Sequence, residues 1–248
     1  MKTLFTGKIH THVEETTSTN ELAALALKSA KVIEGAMFSA NNQTKGKGQR
    51  GRVWESHPGQ NILVSYVFFP VFLKASEQFA LIKAVSLTVK DLLDKYLMDK
   101  VKIKWPNDIY VNDLKIAGIL IESSMKGDYM GSSIIGIGLN VNQKNFGNVE
   151  NGTSVILETG KGCDVNMFRN ELSYHLERRY RMLKKDPKSM DGEYQNALYR
   201  RNIKTKYLIN DSEKEMTLIG VDDLGQIVLQ NDMKQQIAFA MHQVRMII

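Results

Sequence analysis

Glycines and cations alternate in one short stretch of the chain, from Gln43 to Trp54, which reads Gln-Thr-Lys-Gly-Lys-Gly-Gln-Arg-Gly-Arg-Val-Trp. Glycine lets backbone N–H groups approach a ligand closely, and successive inward N–H groups form a concave site for an anion. Lysine and arginine side chains deepen the positive potential there. Apolar residues flank the stretch, so we interpret it as a loop between two strands that binds an anion. A solvated basic turn is the alternative that this run leaves open.

Two well-known phosphate-binding loops do not match this glycine loop. The chain contains no G-x-x-x-x-G-K-[ST], and residues 46–51 satisfy G-x-G-x-x-G only by accident. A dinucleotide-binding loop opens a helix, whereas this loop runs into Trp54 and the segment 55–59, where Pro58 and Gly59 disfavour a helix.

A second polar cluster precedes the first predicted helix. Ser18 and Glu21 have the spacing of a capping box, which predicts a helix start at this point. Capping alone does not explain why every residue from 16 to 20 carries a hydroxyl or an amide side chain. Such groups at a helix N-terminus bind small polar ligands, and we keep this reading beside the purely structural one.

Strand-like patterns further along the chain are broken at places that suit a site. Pro106 interrupts the strand pattern of residues 101–111, which leaves Asn107 and Asp108 at a turn or a bulge. Lys115 is the first residue of an otherwise apolar strand, and most lysines in such positions extend to solvent. Gly118 lies in the middle of the same strand, which suggests close approach by another backbone or by a ligand.

The next strand, residues 132–143, bares one face through glycines. Gly136 and Gly138 alternate along it, and Asn140 shares their face. Such a face packs under a helix or lies under a flat ligand.

The remaining patterns predict an α+β chain. Strands are predicted over residues 32–41 and 61–69, and helices over 77–97, 165–183 and 189–198. Five short strands after residue 202 predict a small β-barrel.

Composition limits the possibilities only broadly. The chain has 248 residues, a formal net charge of +6 and 43% hydrophobic residues, which suits an anionic ligand, an acidic partner or nucleic acid. No apolar run approaches the ~20 residues of a membrane span, and the N-terminus lacks a signal-peptide core. Cys163 is the single cysteine. We therefore expect a cytoplasmic protein without a membrane partner.

Five motifs occur in the order found in biotin protein ligases, and the chain resembles that family, the biotin–[acetyl-CoA-carboxylase] ligases. They are Ser18-Thr19-Asn20, Gln43 with the loop from Gly46 to Trp54, Lys104 to Asp108, Lys115 to Leu120, and Gly136 to Asn140. One motif alone is weak, whereas five in this order are highly specific.

The resemblance implies a fold and a division into domains. The fold is a mixed β-sheet flanked by helices, of the class II aminoacyl-tRNA synthetase and biotin ligase type, with a small C-terminal SH3-like β-barrel. The expected domains are residues 1–200, which bind biotin and ATP, and residues 201–248. Because the motifs begin almost at residue 1, we expect the short form without an N-terminal DNA-binding domain, and hence no DNA partner.

The resemblance also implies a two-step reaction. The carboxylate of biotin attacks the α-phosphate of ATP, and a lysine of a biotin carboxyl carrier protein then takes the biotin from biotinyl-5′-AMP. Biotin and ATP are thus the expected substrates, with Mg²⁺ beside them and Asp108 as its candidate ligand. A homodimer is compatible with the resemblance. The loop is expected to close as a lid over the adenylate, because water would hydrolyse it.

The resemblance assigns roles by position. Lys115, Arg50 and Arg52 are the expected catalytic residues, since a carboxylate and a triphosphate repel each other without fixed positive charge. The expected biotin-binding residues are Ser18, Thr19, Asn20, Gln43, Gly46, Lys47, Gly48, Gln49, Lys115, Gly118, Gly136 and Gly138. The three glycines of the sheet, Gly118, Gly136 and Gly138, would leave space for biotin. The expected ATP-binding residues are Arg50, Arg52, Trp54, Asn107, Asp108 and Asn140.

Two departures from the family and two rival functions qualify this reading. Many relatives carry arginine at Gln49, which predicts either looser retention of the adenylate here or replacement of that arginine by Arg50. The family's C-terminal arginine is absent from the matching place near Val244 to Ile247, which puts contact between the barrel and the nucleotide in doubt. A lipoate–protein ligase or octanoyl transferase shares the fold, and a nucleic-acid-binding protein would share the basic charge. The mixed charges of the C-terminal strands make a poor phosphate track.

Overall fold

The larger of two sheets organises the molecule. The computed structural model of the protein describes residues 2–29, 32–147 and 151–248, with the backbone but not the side chain of Arg50. The strands of this sheet are β1 (His10–Thr16), β2 (Met37–Gln43), β3 (Ile62–Phe68), β4 (Val101–Lys104), β5 (Asp108–Val111), β6 (Leu114–Lys126) and β7 (Tyr129–Leu139). Their order is β1-β2-β3-β7-β6-β5-β4, in which β1 is parallel to β2 and the other neighbours are antiparallel.

Helices pack on both faces of this sheet and leave β1 and the second half of β6 largely exposed. They are α1 (Thr19–Ser29), α2 (Gln78–Leu97), α3 (Val155–Thr159), α4 (Val165–Lys185) and α5 (Asp191–Ala197). Helices α2 and α4 pack against each other over the sheet, whereas α1 lies on β2, β3 and β7. Strand β3 is buried along its whole length, which explains its continuous apolar sequence. Within the described residues, no helix is long and apolar enough to cross a membrane.

The C-terminal strands form a second sheet, as the sequence predicts. They are β8 (Lys204–Ile209), β9 (Ser212–Val221), β10 (Ile227–Gln230), β11 (Gln236–Phe239) and β12 (Val244–Met246). Their antiparallel order is β11-β10-β9-β8-β12. Among the described residues, β11 and β12 are therefore the edge strands of this sheet, and its closure into a barrel stays a prediction.

The two sheets share one apolar core. Tyr207, Leu218 and Leu229 of the second sheet belong to the same buried cluster as Tyr66 and Leu92 of the first part. The division at residue 200 therefore stays a prediction, while the packing fixes the second sheet against the first.

Two local predictions are sharpened by the structure. The predicted strand from Val32 begins only at Met37, because Gly35 has a φ of +82° and turns the chain there. The predicted break at Pro106 is a hairpin turn with a cis Trp105–Pro106 peptide, so β5 folds back on β4. Lys104 and Asp108 thereby become cross-strand neighbours on one face of the sheet.

Candidate active site

A row of directly paired residues crosses the sheet beneath a cavity. Leu63 pairs with Gly138, Gly138 with Gly118, Gly118 with Asp108, and Asp108 with Lys104. These residues lie on five adjacent strands, so the row spans about 19 Å at ~4.8 Å per strand. Because its two central members have no side chain, larger groups can lie flat on the middle of the sheet.

Protein side chains occupy the faces that these glycines bare. A Cβ on Gly138 would lie 2.5 Å from Cε2 of Trp54, and a Cβ on Gly118 would lie 3.0 Å from its Cζ3. A Cβ on Gly136 would overlap Oδ1 of Asn20. In this structure the indole ring and the asparagine lie against these glycines, and the expectation that the glycines leave room for biotin stays a prediction. The indole Nε1 is buried without a hydrogen-bond partner among the described residues.

One end of the cavity, which we call the neutral end, is built from Thr19, Asn20, Gln43 and Ser65. The backbone N–H of Thr19 donates to Oε1 of Gln43 at 2.8 Å. The Ser65 hydroxyl lies 2.7 Å from Oγ1 of Thr19 and 2.6 Å from Oδ1 of Asn20. The other side of the Asn20 amide donates to Glu122 at 2.6 Å. The start of α1 thus presents fixed amide and hydroxyl groups, as expected for a small polar ligand.

The glycine loop forms a small hairpin in this structure. Lys47 and Val53 pair as an antiparallel bridge, and Gly48 N donates to Arg52 O at 2.7 Å. Trp54 N donates to Gly46 O at 2.9 Å. The predicted nest of free N–H groups is therefore wrong for part of the loop, because these amides already have backbone acceptors.

A salt bridge ties the base of the loop hairpin to α1. Lys47 Nζ lies 2.8 Å from Oε1 of Glu21, and both side chains remain about two-fifths exposed at 42% and 41%. The hydrogen bond with Lys47 lowers the pKa of Glu21, and the same bond raises the pKa of Lys47. The predicted capping box is replaced: the Glu21 carboxylate accepts from the Thr17 hydroxyl and binds Lys47.

The opposite end, which we call the cationic end, is built from Arg52, Lys104, Lys115 and Arg245 around Asp108. Lys115 Nζ lies 2.7 Å from Oδ1 of Asp108 and 5.6 Å from the centroid of the Trp54 ring. Burial lowers the pKa of Lys104, and the positive charges of Lys115, Arg52 and Arg245 lower it further, while Asp108 opposes them. Of the described residues that line the cavity, Asp108 is the one carboxylate. Positive charge is therefore in excess at this end.

Most of the predicted site residues meet in this single cavity. Those lining it are Ser18, Thr19, Asn20, Gln43, Lys47, Gly48, Gln49, Arg52, Trp54, Asn107, Asp108, Lys115, Gly118, Gly136 and Gly138. Their assigned ligands stay predictions. The Arg50 side chain, expected to be catalytic, lies outside what the structure describes.

Gly46 and Asn140 do not line the cavity. Gly46 is buried where its backbone meets that of Trp54, and a side chain there would overlap the Trp54 carbonyl. Asn140 donates from Nδ2 to Thr153 O at 3.0 Å, which directs it towards the segment after residue 150. The expectation that Asn140 faces a nucleotide finds no support in this position and stays a prediction.

Several wall residues were missed from the sequence. Lys104 lies inside a recognised motif, but alternation alone did not say which face of β4 it would occupy. Leu63 and Leu120 sit in ordinary apolar strands, whose pattern does not distinguish a cavity wall from a core. Met241 and Arg245 reach the cavity from the second sheet, and only the docking of the two sheets could reveal this.

The described residues do not form a metal centre on their own. In the ranges 2–29, 32–147 and 151–248, no three His, Cys, Asp or Glu side chains come together as a metal-binding group. Asp108 could offer one carboxylate, which suits Mg²⁺ only when other ligands, such as phosphate oxygens, arrive with it.

The arrangement is suited to two ligands of opposite character. A neutral, hydrogen-bonding ring fits the neutral end, and a polyanion fits the cationic end. Between them the Trp54 ring lies on the glycine row, and Lys115 stands beside that ring at the junction. Such geometry can bring a carboxylate and a phosphate together in spite of their repulsion.

Comparison with known proteins agrees with this geometry. The model of the biotin/lipoate A/B protein ligase family matches residues 13–140. The biotin–[acetyl-CoA-carboxylase] ligase of Paracoccus denitrificans is 36% identical over 165 residues, which cover 64% of this chain and 67% of that protein. The bifunctional ligase/repressor BirA of Bacillus subtilis (strain 168) is 35% identical over 145 residues, which cover 58% of this chain and 44% of that protein.

The fold has close counterparts among solved structures. The biotin protein ligase from Aquifex aeolicus in complex with biotin and ATP superposes with a TM-score of 0.80 at 23% identity, covering 96% of this chain and 98% of that chain. The chain spans 44% of the Bacillus BirA and 61% of the Escherichia coli BirA, about half the length of these curated relatives. Since the family model matches more than half of its residues, the chain belongs to the biotin/lipoate A/B protein ligase family.

Proposed function

We propose that this chain is a biotin–protein ligase. It activates biotin with ATP to biotinyl-5′-AMP and transfers the biotin to one lysine of a biotin carboxyl carrier protein. The observation that carries the proposal is the meeting of a neutral hydrogen-bonding end and a cationic end in one cavity, joined over a glycine floor. Relatives with biotin–protein ligase names, and a matching fold solved with biotin and ATP, support the choice of ligands.

The neutral end suits the ureido ring of biotin better than the carbon chain of lipoate or octanoate. A ureido group offers a carbonyl acceptor and two N–H donors, which match the hydroxyls and amides of Thr19, Asn20 and Gln43. An alkyl chain can form no hydrogen bond with these groups, so it would gain none of the affinity that they can give to a ureido ring.

The first step requires attack of one anion on another. An oxygen of the biotin carboxylate bonds to the α-phosphorus, and the bond from phosphorus to the bridging oxygen breaks. Lys115 stands beside Gly118 at the middle of the row, so its ammonium group can lie between the carboxylate and the α-phosphate. Because Lys115 rests on Asp108 at 2.7 Å, that carboxylate holds the ammonium group in place. Arg52 adds a second charge from the glycine loop.

Magnesium enters this scheme as a part of the nucleotide substrate. The cavity wall supplies one carboxylate, Asp108, and the phosphates would supply the other anionic ligands. The ion would neutralise charge on the leaving pyrophosphate.

Before the second step the adenylate must be protected from water, and it must then become accessible to the carrier protein. The mixed anhydride would be hydrolysed by free water, so the glycine loop with Trp54 would cover it as a lid. The uncharged amine of a carrier-protein lysine then bonds to the carbonyl carbon of biotin and gives up one proton, while the C–O bond to AMP breaks and AMP leaves with its electron pair. A cytoplasmic location, a homodimer and the lack of a DNA partner stay predictions from the sequence.

The test is a biotin-dependent exchange of labelled pyrophosphate into ATP, followed by AMP release with a carrier domain. We expect exchange with biotin, and at least ~100-fold less with lipoate or octanoate, because neither acid can form the hydrogen bonds that a ureido ring would make at the neutral end. Exchange that prefers lipoate would assign the chain to the other branch of its family. No exchange with any of these acids would refute the proposal.

A further inference from the structure

A cluster of three basic side chains lies apart from the cavity, around the hydroxyl of Ser39 on β2. Nε2 of His10 and Nδ1 of His12 each lie 2.8 Å from Oγ of Ser39. Nη1 of Arg169, near the start of α4, lies 3.4 Å from the same atom. Ser39 is only 1% exposed, whereas both histidines are exposed on β1. A buried hydroxyl thus holds three basic groups together at the edge of the sheet.

The cluster and the cavity lie on opposite faces of the sheet. Ser39 pairs with Val64, and Phe38 pairs with Ser65. Successive side chains of a strand point to opposite faces, and Ser65 belongs to the neutral end of the cavity. Ser39 therefore points to the face that carries α4, and neither it nor the three basic residues line the cavity.

The positive charge of this cluster lacks a matching anion. Among the residues that the structure describes, no carboxylate lies within ion-pair distance of Arg169, and its Nε is buried without a hydrogen-bond partner. Two neighbouring carboxylates have other partners. Asp164 caps α4 by accepting from the backbone N–H groups of residues 166 and 167, and Glu14 accepts from Asn41 at 2.7 Å.

The basic groups of the cluster also disfavour one another's charge. Partial burial of its ring, and after it the charges of Arg169 and His12, lower the pKa of His10 to about 4. Burial also lowers the pKa of Arg169, while Tyr66 and Asp164 oppose that shift. A bound anion would offset the repulsion, because an opposite charge favours the protonated form of a base.

The hydroxyl of Ser39 determines which ring nitrogens can serve a ligand. A hydroxyl donates one hydrogen bond and accepts two, and Arg169 can only donate. One imidazole therefore accepts from the hydroxyl, and the other donates to it. The outer nitrogens, Nδ1 of His10 and Nε2 of His12, form no hydrogen bond with the described residues. One of them already carries a proton, and the other can gain one when an anion binds.

The spacing of the three groups fits an oxyanion. The ring centroids of His10 and His12 are 5.9 Å apart, and two N–H···O bonds of ~2.9 Å to one bound group span about that distance. Arg169 bonds to Ser39 and Asn166, which leaves further guanidinium donors of the kind that bind phosphate. A metal cation is disfavoured, since it would lie beside the charge of Arg169.

We propose that the two imidazoles and the guanidinium around Ser39 bind a phosphate-type oxyanion at a second site, separate from the cavity. The oxyanion accepts from the outer imidazole nitrogens and from Arg169, and one imidazole takes up a proton from solvent as it binds. The ligand is either free phosphate or the phosphate group of a larger molecule, since both present the same oxygens. This site does not depend on the proposed ligase activity.

The experiment follows the C2–H resonances of the histidines by NMR while sodium phosphate replaces sodium chloride at constant ionic strength. The chain has five histidines, so His10→Gln and His12→Gln assign the two resonances of the cluster. We expect both resonances to shift saturably. Arg169→Gln should weaken phosphate binding by about tenfold or more, as for loss of a charged hydrogen bond, and Arg169→Lys should recover part of the affinity.

Two further probes test the chemistry of the ligand. Sulfate keeps both negative charges while the histidines titrate, so it isolates the effect of their protonation. Because a bound anion stabilises the protonated imidazole, sulfate should raise the pKa of His10 and bind about threefold to tenfold more tightly at about pH 5 than at about pH 7. Phosphoserine identifies the source: tighter binding than inorganic phosphate would assign the site to a phosphorylated molecule, and weaker binding would assign it to free phosphate.

Arg181→Gln is the matched control. Arg181 is exposed on the same helix, so its removal changes the net charge equally and should leave every titration as in the unchanged chain. If Arg169→Gln lowers the melting temperature, His10→Gln serves as the second variant, because His10 is exposed. It should weaken the phosphate response of the His12 resonance by about tenfold.

Three results would overturn the inference. Equal shifts with phosphate and chloride would show that the cluster only senses ionic strength. An unchanged phosphate response in Arg169→Gln and in His10→Gln would remove these residues from an anion site. Binding of Zn²⁺ that is tighter than that of phosphate, and tighter still in Arg169→Gln, would assign the histidines to a metal. Failure to form an adenylate would refute only the proposed function.

Discussion

The two ends of the cavity are built to bind ligands by different means. At the neutral end, the hydroxyls and amides of Thr19, Asn20 and Ser65 already bond to one another and to Gln43, so each atom has a fixed direction. At the cationic end, Arg52, Lys104, Lys115 and Arg245 face a single described carboxylate, Asp108. The neutral end therefore discriminates by geometry, and the cationic end binds by unmatched charge.

The difference follows from how the chain builds each end. The neutral end comes from α1 and the strands it covers, which are close in sequence and buried together. The cationic end gathers residues from the glycine loop, two hairpins and the second sheet. Fixed polar networks need burial to keep water out, whereas charges act across a partly open space. The comparison can be tested one end at a time.

The largest effect should come from Lys115, where the two ends meet. We expect Lys115→Gln to reduce adenylate formation by about 100-fold to 1000-fold, because its charge is needed most as negative charge builds up at the phosphorus. Biotin binding should weaken far less, since the neutral end stays intact. Pyrophosphate exchange and calorimetry with biotin measure the two effects separately.

Lys126→Gln is the control for this change, because Lys126 is exposed at the far end of the same strand. It should leave both measurements as they are. Near-normal exchange in Lys115→Gln would contradict the division of labour between the ends.

At the neutral end, Asn20→Ala should weaken biotin binding by about tenfold to 100-fold, because it removes an amide that would bind the ureido ring and leaves Glu122 without its partner. The KM for ATP should change by less than about twofold. Asn42→Ala removes a surface amide that bonds only to Glu15 and should alter neither constant. A rise in the KM for ATP as large as the loss of biotin affinity would show that the two ends are not independent.

Salt should separate the ends further without any substitution. Raising the ionic strength from 0.1 M to 1 M shortens the Debye length from ~10 Å to ~3 Å, which screens the exposed cations. At constant free Mg²⁺, we expect the KM for ATP to rise by up to about tenfold while biotin affinity stays within about twofold. Parallel changes in both constants would mean that charge does not distinguish the ends.

Much of this site was predictable from the sequence, for reasons that particular residues show. Three of its parts are local patterns: the glycine loop, the polar start of α1 and the alternating glycines of β7. Each involves only neighbouring residues, so it can be recognised without knowing the rest of the fold. Gly136 and Gly138 were expected to bare one face of a strand, and both line the cavity. No sequence pattern reports that Asn20 and Trp54 pack on those faces.

What the sequence could not predict depends on contacts between distant segments. Arg245 reaches the cavity because Trp105 bonds to Gly225, a contact across 120 positions of the chain. Glu21 was expected to cap α1, but Lys47 of the glycine loop competes for its carboxylate. Asn140 matched a motif, yet its amide bonds to Thr153 instead of facing the cavity. In each case a local rule was overruled by a tertiary partner.

The smallest expected effect is that of the salt bridge between Lys47 of the glycine loop, the predicted lid, and Glu21 of α1. The Lys47–Glu21 pair is 2.8 Å long but about two-fifths exposed on both sides, so solvent screens it and it holds the loop weakly. We expect Glu21→Gln to speed amide exchange of residues 44–52 by no more than about fivefold. Biotin with ATP should slow exchange of the same residues by a larger factor.

Glu14→Gln is the control, because Glu14 is an exposed carboxylate on β1 that bonds to Asn41 and not to the loop. It should leave the exchange of residues 44–52 unchanged. Since weak surface pairs favour frequent opening, substrates would enter while the loop is open, and the closed form would be stabilised by the ligands themselves. Equal protection of the loop with and without biotin and ATP would contradict the lid. A large effect of Glu21→Gln would instead show that the salt bridge, and not the ligands, keeps the loop closed.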